Sequence, residues 1–286
     1  MPTLPTDLSQ QIATALAEDI GSGDITAELV PAAQHVTGKV ITREAAVMAG
    51  RPWVTETFRQ LDPEVRLTWH ANDGDRITPN QTLFEVAGLA RPVLTGERTA
   101  LNFLQLLSAT ATVTRRYVDA IAGTDCVILD TRKTIPGLRT AQKYAVVCGG
   151  AQNLRIGLYD QVLIKENHIA AAGSLSAVIA AGRRAAGRLA AARKVEVEVE
   201  TLAEFEEALR AAPDIIMLDE FSLTDMKTAV EINKSKGRPV KLEASGSVTL
   251  ETVRTIAETG VDYISIGGIT KHVKAVDLSM RLEFGG

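Results

Sequence analysis

The sequence is poor in aromatic residues, poor in cysteine, and without any long apolar run. Phenylalanine, tryptophan and tyrosine together make up 4% of 286 residues, so the core is aliphatic and the stacking platforms used by single-strand nucleic-acid binders are scarce. Cys126 and Cys148 stand alone, without CxxC or histidine spacing. That excludes a disulfide framework or a zinc site and predicts two buried thiols in a reducing compartment. No stretch approaches the ~18 apolar residues that span a bilayer. The first twenty residues lack a basic start followed by an apolar segment, so the expectation is a cytoplasmic protein without a membrane partner. Positive charge is also short: Lys and Arg number 31 against 35 Asp and Glu, a net −4. With no overall basic field, nucleic acid is excluded as a partner, and any phosphate affinity must come from local clusters. What is present, 45% hydrophobic and 23% charged residues, is the composition of an ordinary folded chain of one or two domains.

An amphipathic helix is expected around Leu8 to Glu18, followed by short alternating runs and tight turns from Ile25 to Val86. The Asp73-Gly74-Asp75 turn with Leu83 to Val86 resembles the hairpin of a swinging-arm carrier, yet no lysine stands at the turn tip, so the likeness is structural only. From Thr95, placed to cap, the spacing of Leu101, Leu104 and Leu107 predicts a long helix linking two domains. Beyond it the texture becomes repeated βα. The apolar runs CVILD, QVLIK, KVEVEV, DIIML, PVKLE and DYISI alternate with alanine-rich or charged helical segments, which implies parallel strands closing toward a barrel. Such barrels keep their chemistry at the C-terminal strand ends. Those ends read Asp130-Thr131-Arg132-Lys133, Lys165-Glu166-Asn167, Glu198 to Glu200, Asp219-Glu220, Glu243 to Ser247 and Gly267-Gly268.

In KVEVEVE, alternation puts Lys194, Glu196, Glu198 and Glu200 on one face and three valines on the other. In a barrel the charged face points into the lumen, where carboxylates need cationic or hydroxyl partners. The loops Ser245-Gly246-Ser247 and Ile266-Gly267-Gly268 each follow a strand and lead into a helix, a setting in which backbone amides can face a phosphate, with Lys271 adding charge. Arg132, Lys133, Arg139, Arg155 and Lys165 concentrate cations within a short span. Arginine forks suit carboxylates and lysines suit phosphate oxygens, so the residues point to a small phosphorylated and carboxylated substrate.

At GERTALNFLQ, DTRKTIPGLR, KYAVVCGG, LIKENHI, EVEVE, MLDEF, LEASG and DYISIGG, in order and along nearly the whole chain, the sequence resembles quinolinate phosphoribosyltransferases. The resemblance implies an α/β protein: an N-terminal open-faced sandwich, residues 1–108 joined by about 272–286, and an incomplete seven-stranded α/β barrel over 109–271. It implies transfer of phosphoribose from phosphoribosyl pyrophosphate to quinolinate with loss of carbon dioxide, giving nicotinate mononucleotide for NAD synthesis. By resemblance, Arg98 is the arginine contributed by a neighbouring subunit of a homodimer, and Arg132 and Arg155, with Thr131, hold the pyridine carboxylates. Lys165 contacts quinolinate at the pocket floor, and Lys133 faces the phosphoribosyl group as a catalytic residue. Glu198 and Asp219 are the paired acids that bind the ribose hydroxyls directly or through magnesium, meeting the metal only through substrate or water. Ser245, Gly246, Ser247, Ile266, Gly267 and Gly268 cradle the terminal phosphate.

One stretch departs from the family pattern. Where three glycines and Asn-His-Arg are usual, this chain has Gly149-Gly150-Ala151-Gln152-Asn153-Leu154-Arg155. The histidine is lost at Leu154 and the arginine is kept. The loss motivates one alternative, a related phosphoribosyltransferase with altered aromatic-acid specificity; a second, a non-catalytic barrel that binds phosphorylated metabolites, is opposed by the presence of Glu198, Asp219 and Lys133 together.

Overall fold

A computed structural model describes residues 2–187 and 193–284. The chain divides into two compact units. Residues 1–115, 134–150 and 268–286 form the first, and 116–133 with 151–267 form the second. The segment 134–150 packs with the N-terminal part of the chain.

In the first unit, β1 (His35–Thr42), β3 (Arg66–Trp69), β5 (Thr82–Leu89) and β12 (Leu278–Phe284) make an antiparallel sheet in the order β12-β1-β5-β3. Alternation decides its two faces. Val36, Val40, Phe84 and Val86 are buried against the helices, while Lys39, Arg66, Glu85 and Arg281 line the opposite face. That is the open-faced sandwich. A short ladder joins β2 (Ala46–Val47) to β4 (Arg76–Ile77). The helix Arg51–Leu61 starts with Pro52 in its first turn and buries Trp53 and Phe58, each contributing about 1.5–3 kcal/mol by removal from water.

The long helix spans Ala90–Ala120, five residues earlier than the Thr95 start. Thr95 therefore caps nothing; its hydroxyl donates to Asp24 at 2.7 Å. The early start is possible because Pro92 falls in the first turn, where its missing N–H has no intrahelical partner to lose. Cys126 and Cys148 are free and buried, and burial pushes both thiols up to about 12.

The second unit holds all six expected runs as strands: β6 (Val127–Leu129), β7 (Val162–Ile164), β8 (Val195–Val199), β9 (Ile215–Asp219), β10 (Lys241–Ser245) and β11 (Tyr263–Ser265). They form a parallel sheet in the order β6-β11-β10-β9-β8-β7. Among the described residues the expected seventh strand is a single bridge, Gln152 pairing in parallel with Leu129 on the outer edge of β6. From Gln152 the chain continues to β7, at the other end of the strand order. Helices such as Leu202–Ala211, opened by a Thr201–Glu204 capping box, supply the crossovers that parallel strands require.

Candidate active site

Because all six strands run the same way, their C-terminal ends lie on one rim of the second unit. The structure brings Thr131, Arg132, Lys133, Arg155, Lys165, Glu198, Asp219, Ser245, Gly246, Ser247 and Gly267 to that rim. Arg98, Arg139, Gly268 and Lys271 belong to the first unit. Arg98 lies on the helix Ala90–Ala120, Arg139 begins the helix Arg139–Cys148, and Lys271 ends the short helix Gly268–Lys271.

Past β6 the chain turns through a tight loop in which the Lys133 amide donates to the Thr131 hydroxyl at 3.0 Å. Asp130, fully buried, accepts the Leu154 amide at 2.9 Å. That bond ties the segment bearing Arg155 to the end of β6. Arg155 donates through Nε to the carbonyl of Gly157 at 2.8 Å. Burial and the neighbouring Arg132 guanidinium lower its affinity for a proton, and Asp160 and Glu196 only partly offset this. Arg132 keeps a buried Nε with no hydrogen-bond partner. Two guanidiniums that repel each other, one with an orphaned donor, are an arrangement that an anion satisfies. Gly267 lies against them: a Cβ there would stand 3.0 Å from the Lys133 side chain, which would have to give way slightly.

Lys165, just past β7, is ion-paired with Glu198 on the adjacent strand. Glu198 is almost covered, its side chain 10% exposed, whereas Lys165 is 44% exposed. The expected charged face of β8 is shorter than the sequence suggested: Lys194 and Glu200 lie outside the strand and are exposed, and only Glu196 and Glu198 face inward. Below the rim, Glu196 and Glu243 are fully buried. Burial, then the facing Glu243, raises Glu196 well above the usual carboxylate range, and Gln161 donates to it. Glu243 is pushed up to about 7, chiefly by burial. The sequence turned Glu196 inward and placed Glu243 at a strand end, but did not show that the two face each other.

Asp219 ends β9, opposite Ser245 in the register. In the following loop Gly246 has φ +96° and Ser247 φ +41°. The second glycine loop differs from expectation at Ile266: its amide donates to the Leu129 carbonyl at 3.0 Å and its side chain is buried, so it anchors the loop instead of facing a ligand.

Residues 24–108 match the N-terminal domain of quinolinate phosphoribosyl transferase, and residues 110–281 match its C-terminal domain. The chain belongs to the quinolinate phosphoribosyltransferase family. It is 42% identical over 278 residues to a nicotinate-nucleotide pyrophosphorylase (carboxylating) of Mycobacterium leprae, covering 95% of each chain. It is 40% identical over 263 residues to a probable nicotinate-nucleotide pyrophosphorylase (carboxylating) of Bacillus subtilis, covering 92% of this chain and 89% of that protein. A solved nicotinate-nucleotide pyrophosphorylase from Francisella tularensis superposes with a TM-score of 0.92 at 45% identity and 98% coverage of both chains. Within this quinolinate phosphoribosyltransferase fold, the parallel-sheet rim carries the polar groups described above.

Proposed function

We propose that this rim joins quinolinate to phosphoribosyl pyrophosphate and releases pyrophosphate and carbon dioxide, giving nicotinate mononucleotide for NAD synthesis. The observation that carries the reading is Arg132, with a buried unbonded Nε, close enough to Arg155 for their charges to repel, on a rim that also holds acids. A dicarboxylate meets the forks, and each charge-assisted bond contributes about 1.5–3 kcal/mol. Thr131 and Lys165 complete the grip, and Lys133 faces the phosphoribosyl group.

When the bond from C1′ to pyrophosphate breaks, positive charge grows at C1′. The carboxylates of Glu198 and Asp219, fixed at strand ends, stabilise that charge more than the ground state. The pyridine nitrogen then bonds to C1′ and becomes cationic. The adjacent carboxylate leaves as carbon dioxide, its electron pair stays on the ring carbon beside the cation, and that carbon takes a proton. Orientation by Arg132 and Arg155 serves this second step.

Among the described residues, no group of three or more His, Cys, Asp or Glu side chains is arranged to hold a metal ion. Two acids at adjacent strand ends suit magnesium that arrives on the pyrophosphate with its own waters, touching Glu198 and Asp219 through substrate or water. Held there by Glu198 and Asp219, magnesium would neutralise the leaving group. Ser245, Gly246, Ser247 and Gly267 hold the terminal phosphate. Arg98 is assigned to the pocket of the partner in a homodimer. The two free cysteines fit a reducing, cytoplasmic compartment; among the described residues no helix is long and apolar enough to cross a membrane.

Leu154 motivates a second reading, a pocket for a different aromatic acid. Purified protein with phosphoribosyl pyrophosphate, magnesium and either quinolinate or nicotinate separates the two by pyrophosphate release. Turnover with quinolinate is expected; turnover with nicotinate alone transfers the assignment to the second reading, and turnover with neither favours a non-catalytic binding barrel.

A further inference from the structure

The residue after Asp219 has a backbone that side chains rarely adopt. Glu220 has φ +52°, in the left-handed region where a Cβ crowds the chain. Its amide donates to the carbonyl of Ser245 at 3.0 Å, which fixes the strained turn against the end of β10. Its carboxylate then reaches across the Ser245-Gly246-Ser247 loop. The Ser247 hydroxyl donates to Glu220 Oε1 at 2.8 Å. A Cβ on Gly246 would lie 2.5 Å from the Glu220 carboxyl carbon and 2.7 Å from Oε1, so the carboxylate rests directly on the glycine. Among the described residues no lysine or arginine pairs with it, and the residue is solvent-exposed. Among the described residues, only Ser247 hydrogen-bonds the side chain.

We infer that Glu220 is a built-in competitor for the phosphate loop: in the free protein its carboxylate occupies the surface of Gly246 and Ser247 that the substrate's phosphate takes, and it must swing into solvent for the phosphate to bind. The inference rests on the phosphate-loop assignment made above. A carboxylate and a phosphate dianion cannot both accept the Ser247 hydroxyl, and at contact distance they repel. An exposed side chain with no cation to hold it moves at little cost. The consequence is a loop that discriminates by displacement. Every phosphate-bearing ligand, substrate or product, binds less tightly than the same loop without the acid would allow, and the phosphorylated product leaves faster. Glu220 acts as a specificity and positioning residue, not as a group in the chemical step.

Inorganic phosphate is the probe, titrated calorimetrically into the full-length protein at fixed ionic strength, alongside steady-state kinetics. Glu220→Gln is expected to bind phosphate about five-fold tighter, the effect of removing one like charge a few ångström away in a water-exposed site. The KM for phosphoribosyl pyrophosphate falls in parallel, the KM for the dicarboxylate does not move, and the gain shrinks as salt is raised. A purely structural role would not produce that split. Glu220→Asn, uncharged and at ease in the left-handed region, serves as a second variant if the first folds poorly. Adding Ser247→Ala to the Glu220→Gln protein separates the two ideas. If phosphate affinity is unchanged in Glu220→Gln but falls on adding Ser247→Ala, the competitor role is overturned while the phosphate loop stands. If Ser247→Ala changes nothing in that background, the loop is not the phosphate site and the competitor role goes with it.

Discussion

The ammonium of Lys165 and the carboxylate of Glu198 are ion-paired between neighbouring parallel strands, at the rim where Arg132 and Arg155 also converge. In the free protein each neutralises the other. Under the proposed function, a bound dicarboxylate would draw Lys165 away and leave Glu198 to meet the positive charge that grows on the sugar. Glu198→Gln is therefore expected to lower kcat by about 100-fold or more, the usual cost of removing one group aimed at transition-state charge. Its KM for quinolinate stays near the parent value or falls, because Lys165 no longer has a competing anion. Steady-state pyrophosphate release gives both parameters, and a Glu198→Gln protein with unchanged kcat removes Glu198 from the chemical step.

Arg132 and Lys133 are adjacent in sequence but serve different substrates in this reading. Arg132→Ala deletes an orphaned fork and should mainly raise the KM for quinolinate, by about 10-fold or more for a lost charge-assisted bond. Lys133→Ala should abolish turnover. Wild-type-like kinetics in both would disprove the site assignment.

The buried acids Glu196 and Glu243 set a pH dependence of stability. Both ionise higher in the folded protein than in the unfolded chain, Glu243 at about 7, because burial disfavours their charge. Between the ordinary carboxylate value and about 7 the folded state holds more protons than the unfolded one. Raising pH through that window therefore lowers stability. For Glu243 the contribution is intact below that window and lost above it. Glu243→Gln carries no titrating proton, so its Tm should gain on the parent steadily from pH 5 to pH 8, at about 2–4 °C per kcal/mol for domains of this size. Parallel Tm curves for the two proteins across that range would show that Glu243 is not the titrating group.

Much of this architecture is legible in the residues themselves. The six apolar runs of the second unit stand out because parallel strands buried on both faces need them, and alternation alone turns Glu196 and Glu198 inward. The start of the long helix is not legible, since Pro92 reads as a break until β5 is seen to deliver the chain straight into the first turn at Ala90. The seventh strand is not legible either: a single Gln152 to Leu129 bridge has no periodicity to detect. Nor does any local pattern announce that Glu220 lies on Gly246, or that Glu243 faces Glu196 from two strands away, because both are facts of sheet register.

Gly149 tests the packing of the first unit apart from chemistry. A Cβ there would meet the Thr114 Cβ at 2.5 Å and the Ala111 carbonyl oxygen at 2.7 Å, and the second of these is backbone on the long helix, which cannot turn aside. Gly149→Ala is expected to destabilise by about 1–3 kcal/mol, the usual cost of overpacking. Urea unfolding measures it, and an unchanged midpoint would mean that the 134–150 segment packs less tightly on the helix than these distances require.

Arg98 lies in the first unit, on the helix Ala90–Ala120, whereas Lys133 lies in the second. If Arg98 completes the pocket of a partner subunit, the two substitutions Arg98→Ala and Lys133→Ala each disable every site in their own homodimers. Mixing the two inactive proteins under conditions that allow subunit exchange then yields heterodimers in which one of the two sites has both lesions and the other has neither. Random exchange of equal amounts makes about half of all dimers mixed, each with one intact site, so about a quarter of parental turnover should return. The time course of recovery should follow subunit exchange measured independently, for example by energy transfer between labelled protomers. Recovery within that window supports a pocket shared across the interface. Demonstrated exchange without any return of activity places Arg98 and Lys133 in the same site of a single chain, or removes Arg98 from the pocket altogether.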